Sequence, residues 1–138
     1  MEVNDEVDYK KLKQGLGELT GYDFAAAEQQ ARILGDGTPE IVYSKTFHAV
    51  IAAKVLGVTI DDIKGLPIRE YVAVTSNVSV FLVRHFDRSS PAGVIREIAV
   101  CLFEYGNVHF WFNQPVNELE KWLETISAVN KKESPLHE

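Results

Sequence analysis

The stretch Pro115-Val116-Asn117-Glu118-Leu119-Glu120-Lys121-Trp122-Leu123-Glu124-Thr125-Ile126-Ser127-Ala128-Val129-Asn130 decides the fold class. Val116, Leu119, Trp122, Leu123, Ile126 and Val129 recur at three- and four-residue steps, so they share one face of a helix, while Glu118, Glu120, Lys121 and Glu124 fall elsewhere. The proline in front fits that reading, because proline in the first helical turn gives up an N–H that has no helical partner anyway. The same punctuation recurs along the chain. Thr38-Pro39 predicts a helix to Leu56, closed by Gly57; Leu66-Pro67 predicts one to about Arg84; Ser90-Pro91 predicts one to Tyr105, closed by Gly106; the helix after Gln114-Pro115 fades near Asn130.

Two shorter segments join these four. Asp23 can cap Phe24 to Leu34, which stops at Gly35-Asp36-Gly37, and Thr59 can cap a turn through Ile60 and Ile63 that ends at Gly65. The segment after Pro67 is apolar around much of its circumference (Ile68, Tyr71, Val72, Val74, Val78, Val80, Phe81, Leu82, Val83), which predicts a helix that is central or covered on two sides. Val7-Asp8-Tyr9-Lys10-Lys11-Leu12 reads as a short strand or a frayed helix start, and the aromatic, β-branched run Val108 to Phe112 reads as extended. The fold class is therefore mainly α, with four longer helices and one or two short ones. A small β element from residues 7–12 and 108–112 would make it α+β. One helical domain spans residues 1–130, and residues 131–138 form a flexible solvated tail.

The 138 residues are 46% hydrophobic and 25% charged, within the range of globular domains that bury one core. Lys and Arg number 14 against 20 Asp and Glu, a formal charge of -6, and the basic residues form no stripe. A phosphate backbone needs a positive surface that releases counterions, so nucleic acid is not an expected partner. The first residues lack an apolar signal core, and no apolar run approaches the roughly 20 residues of a membrane span. With a single cysteine, Cys101, read as a small core residue, the chain is placed in a reducing cytoplasm with no membrane partner.

No catalytic, metal or cofactor constellation emerges. His48, His85, His109 and His137 are too widely spaced for a local zinc site, and His85 with Asp87 is the nearest approach to a ligand pair. Asp61-Asp62 lacks the regular oxygen spacing of a calcium loop and reads as acids complementing a helix dipole. Gly15-Leu16-Gly17 and Gly35-Asp36-Gly37 read as turns, since no lysine-serine follows either. What stands out is Phe110-Trp111-Phe112. Three consecutive large aromatics in an extended segment point to alternating sides, so either a partner covers one side or the domain itself does.

Several segments resemble one known family. Leu19-Thr20-Gly21-Tyr22-Asp23-Phe24, followed by Ala27-Glu28, Ala31-Arg32 and a Gly-Asp turn, is similar to the start of tail assembly chaperones of long-tailed (siphovirus-type) bacteriophages and prophages. Ala52-Ala53-Lys54, Gly57-Val58, Ile63 to Leu66-Pro67, Val78 to Phe81-Leu82, and Pro115-Val116-Asn117-Glu118-Leu119 with Trp122-Leu123 resemble that family's successive helices, so the likeness spans roughly residues 16–127. These are packing and capping patterns rather than chemical signatures. The resemblance implies a protein that binds the tape measure protein, keeps it soluble and brings major tail tube protein to it, with no cofactor and no active site. In such a protein an apolar surface receives client helices and favours a homo-oligomer when empty. The candidate protein-binding residues are Tyr71, Thr75, Val78, Phe81, Phe110, Trp111 and Phe112. The rival readings are an acidic inhibitor or mimic acting on a nucleic-acid-binding enzyme, and a small enzyme that would place His48, His85 or His109 beside carboxylates in a pocket.

Overall fold

The computed structural model describes residues 7–133. The elements in chain order are α1 (Tyr9–Gly17), α2 (Gly21–Leu34), a 3-10 turn (Ile41–Tyr43), α3 (Lys45–Leu56), α4 (Ile60–Lys64), α5 (Ile68–Phe86), α6 (Pro91–Cys101), α7 (Val108–Phe112) and α8 (Val116–Glu133). Among the described residues there is no strand, and no helix is long and apolar enough to cross a membrane. The chain is mainly α, as its periodicity predicts.

Side-chain caps fix most of the helix starts. Asp8 accepts the Lys11 N–H, Ser44 the Phe47 N–H, Ser90 the Gly93 N–H and Asn107 the Phe110 N–H. Thr20 with Asp23, and Thr59 with Asp62, form reciprocal capping boxes in which each side chain satisfies the other's backbone N–H. Asp23 is thus the third residue of α2's box rather than its cap. The proline rule places α5, α6 and α8 but misplaces α3, which starts at Lys45 behind Ser44 while Pro39 lies in the loop before the 3-10 turn. α6 ends at Cys101, not Tyr105, and α5 and α8 run slightly past their expected ends. Gly15-Leu16-Gly17 closes α1 instead of forming a turn. The tail expected at 131–138 lies mostly outside the described residues, and its first three positions belong to α8.

The small β element does not form. Tyr9 to Leu12 open α1, and Val108–Phe112 is a helical turn. The reason is local: with Asn107 supplying an acceptor for the Phe110 N–H, one helical turn gathers Trp111 and Phe112 inward, where a strand would have sent them to opposite sides.

α3 is the centre. Phe47, His48, Ala49, Val50, Ile51, Ala52, Ala53 and Leu56 are all buried, and α1, α2, α4 and α5 pack around it. A helix apolar on all sides belongs in the interior, and its small alanines allow close neighbours; Gly57, at φ 71, ends it in the left-handed conformation that costs glycine least. α5 is instead one-sided. It buries Val74, Val78, Leu82 and Phe86 in one stripe and leaves Ile68, Val72, Val80 and Val83 exposed, so the two-sided cover expected for it falls to α3.

The second half of the chain hangs on one buried carboxylate. Phe24, Ala27, Glu28 and Ala31 form the buried stripe of α2, and Glu28 is only 5% exposed. Its carboxylate accepts the Ser90 hydroxyl at 2.5 Å and the Ala92 N–H at 2.8 Å, so it caps α6 from another helix. α7 then packs on α6 and against α2, where a Cβ added to Gly21 would come within 2.6 Å of the Phe112 ring. α8 joins last, through the Val116 N–H donated to the Leu19 carbonyl at 2.9 Å. Glu28→Ala should destabilise the fold by about 2–4 kcal/mol, because it leaves a buried N–H and a hydroxyl without partners. Urea denaturation measures this, and a loss below about 0.5 kcal/mol would contradict the capping role.

His48 and Asp36 both shape the response to acid. His48 is 1% exposed; one ring nitrogen, Nε2, lies 2.7 Å from the Val42 carbonyl, and Nδ1 has no partner. Burial is the main cause that lowers its pKa below the ordinary 6.5, with the Lys45 charge adding to it against opposing contributions from the Val42 contact and Asp36. Asp36 is held far below the carboxylate range by the Ser44 hydroxyl, then by the backbone N–H groups of Thr38 and Thr46. Both groups bind protons more readily when unfolded. The stability these two groups contribute is therefore full above about pH 6.5, falls below it as unfolded His48 protonates, and falls again below about pH 3.8 as Asp36 does. Urea midpoints across pH should show the upper step in the parent chain and not in His48→Gln.

Candidate protein-binding groove

α6 turns Pro91, Ala92, Ile95 and Ala99 to the core. Val94, Ile98 and Cys101 follow at four- and three-residue steps on an adjoining face that nothing covers fully. Across from them stands α8, whose apolar stripe is seated only at its start. Val116 and Leu119 are buried, Leu123 and Ile126 are half-buried, and Trp122 and Val129 are exposed. Between the two helices lies an open groove of about 730 Å³, lined by Val94, Ile98, Cys101 and Leu102 on one side and Leu123 on the other. Cys101, expected in the core, is exposed on this wall because α6 ends there with its buried face pointing elsewhere.

An aromatic cluster holds the other side of α8. The rings of Phe110, Trp111 and Trp122 meet edge to face, with centroids 4.9 Å apart for Phe110–Trp111, 5.8 Å for Trp111–Trp122 and 6.4 Å for Phe110–Trp122. Trp111 is the buried anchor, and its indole N–H donates to the Leu102 carbonyl at 2.9 Å. Phe110 and Trp122 stay about 40% exposed, and the turn after α6 adds Phe103 at 67% and Tyr105, whose hydroxyl donates to Asn130 on α8. Exposed rings of this number on neighbouring elements mark a contact surface more than ordinary scatter.

The structure does not bring the seven candidate protein-binding residues together. Thr75, Val78, Trp111 and Phe112 are buried, and the Thr75 hydroxyl bonds back to the Tyr71 and Val72 carbonyls. These four serve the core, because α5 presents its 74, 75, 78 stripe inward and α7 is helical. Tyr71 is half-buried beside Lys64, Leu66 and Ile68. Phe81 lines a different cleft of about 470 Å³ between α1 and α5, with Lys13 and Arg84 at its edge. Phe110 alone of the seven is an exposed ring of the aromatic face. Val94, Ile98 and Leu123, the groove residues, were missed; the repeat 94, 98, 101 beside the buried 91, 95, 99 was the available signal.

The three histidines among the described residues are distributed singly. His48 is buried among apolar residues, His109 Nδ1 is 2.6 Å from the Tyr22 hydroxyl, and His85 Nδ1 is 2.6 Å from Glu120 at the surface. Among the described residues no group of His, Cys, Asp and Glu side chains is arranged to hold a metal ion.

No protein-family model, curated protein or solved structure matches the chain.

The groove and its aromatic border therefore rest on geometry. The two tryptophans separate structure from surface. Trp111→Ala should cost about 3–5 kcal/mol, since it removes a buried ring and strands a carbonyl. Trp122→Ala should cost about 1 kcal/mol or less. Denaturation curves check both, and equal losses would place Trp122 in the core.

Proposed function

We propose that this chain is a tail assembly chaperone of the long-tailed phage type. It seats amphipathic helices of a tape measure protein in the groove between α6 and α8, keeps that long chain soluble, and helps bring tail tube subunits to it. It works by binding, without a cofactor or a catalytic step, in the cytoplasm of the host cell, and it self-associates when the groove is empty.

The observation that carries this reading is the incompletely seated α8: an 18-residue amphipathic helix with only Val116 and Leu119 buried among its described side chains, beside an apolar face of α6. A client helix laid there would extend the packing that α8 begins. Each buried apolar anchor contributes about 1.5–3 kcal/mol, and association costs about 4–15 kcal/mol, so a few anchors give weak, reversible binding suited to a chaperone. The resemblance of residues 16–127 supplies the identity of the client.

The acidic-mimic reading gains less support. Asp8, Asp23, Glu28, Asp36 and Asp62, five of the 20 acidic residues, accept backbone N–H groups within the fold and are not free to face a partner.

Co-expression with a tape measure protein encoded beside this chain should raise the soluble yield of that protein. Ile98→Asp should return the yield to the level without chaperone while the circular dichroism of the variant stays helical. An equal yield with and without the chain sinks the proposal.

A further inference from the structure

The charges around the groove are not evenly placed. From Pro91 to Asn130, where side chains are described, the chain carries Glu97, Glu104, Glu118, Glu120 and Glu124 against Arg96 and Lys121; Lys131, Lys132 and Glu133 at the end of α8 lie beyond this stretch. Arg96 is itself part of the groove lining, but both cations are engaged. Arg96 lies two residues before Ile98, about 200° around α6, and its guanidinium stacks over the Phe112 ring at 5.8 Å. Lys121 lies two residues before Leu123, again about 200° around the helix, and pairs with Glu118 at 3.5 Å. Glu120 is held by His85 at 2.6 Å.

Glu97, Glu104 and Glu124 remain. Each is exposed, and among the described residues none makes a salt bridge. Glu97 adjoins Ile98 and is itself part of the groove lining, and Glu124 adjoins Leu123, so an unpaired carboxylate flanks each apolar wall. Glu104 follows the exposed Phe103 at the end beyond α6. Val94 to Cys101 spans about 10 Å along the α6 axis, the length of two helical turns.

We infer that the α6–α8 groove selects a cationic amphipathic helix: an apolar stripe at three- and four-residue steps for the floor, with Lys or Arg on both flanks for Glu97 and Glu124. This deepens the chaperone reading by naming the chemistry of the client, and it rests on that groove being the client's seat. Apolar anchors supply attachment, and the unpaired carboxylates supply choice and faster encounter. An acidic helix of the same shape would meet like charges on both rims.

Two synthetic helices with the same leucine stripe, one with lysines and one with glutamates on the polar face, test this on the full chain by titration calorimetry. The lysine peptide should bind about tenfold tighter or more at low salt, with the gap shrinking as salt rises. Glu97→Lys combined with Glu124→Lys should reverse the preference, and Ile98→Asp should abolish both affinities; circular dichroism confirms that the variants remain folded. Equal affinities, no binding of the lysine peptide, or a preference that survives the charge reversal would overturn the inference. Lysine-peptide binding together with no gain in tape measure solubility would leave the groove chemistry standing and remove the tail-assembly reading. Solubility rescue without charge preference would remove this inference alone.

Discussion

A carboxylate buried to 5% exposure is costly unless its lone pairs are used, and in this fold Glu28 uses them to hold one helix onto another. Its oxygens take the Ser90 hydroxyl and the Ala92 N–H, at a helix start where unpaired N–H groups and the helix dipole both favour negative charge. Arg32, one turn along α2, stands 3.7 Å away and shares the charge from the solvent side. Capping by a residue 62 positions earlier in the chain does what a local cap cannot, because it fixes α6 relative to α2 as well as starting it. The direction of α6 then determines everything that follows. Its buried face takes Ile95 and Ala99 inward, α7 packs on it, and its uncovered face becomes a wall of the groove.

The two halves of the molecule differ in how fully they are enclosed. α3 is surrounded, and of the helices against it α5 and the end of α2 keep exposed apolar side chains. α8 is attached by its first turns and by three side contacts: Glu120 with His85, Trp122 with the aromatic rings, and Asn130 with Tyr105. A helix whose stripe is fully seated only at its start, and half covered beyond it, can accommodate another helix beside it without disturbing the core. That separation lets an open apolar surface coexist with a stable fold.

Local chemistry was readable from the chain. Ser90-Pro91, Pro67, Thr59 and Pro115 mark real helix starts, because caps and prolines act within one turn of themselves. Where that reading went astray, a competing local signal was present. Asn107 stands three residues before Phe110, as Thr20 stands before Asp23 and Ser44 before Phe47, and each of these side chains accepts the N–H three positions on. The aromatic, β-branched composition of 108–112 outweighed that signal and suggested a strand, whereas the cap decides in favour of a helical turn.

The site was less legible for a physical reason. Periodicity tells which residues share a face, but not what covers that face. Val78 and Ile98 both sit on apolar stripes; Val78 is buried because α5 lies against α3, and Ile98 is half-open because α8 stops short of covering it. Glu28 shows the same limit from the polar side. Its spacing with Phe24, Ala27 and Ala31 placed it on the buried face of α2, yet only the position of Ser90 and Ala92, far along the chain, explains why a carboxylate belongs there. The groove follows from that long-range bond, so its existence is a tertiary fact, while the charges on its rims are written in the sequence of α6 and α8 themselves.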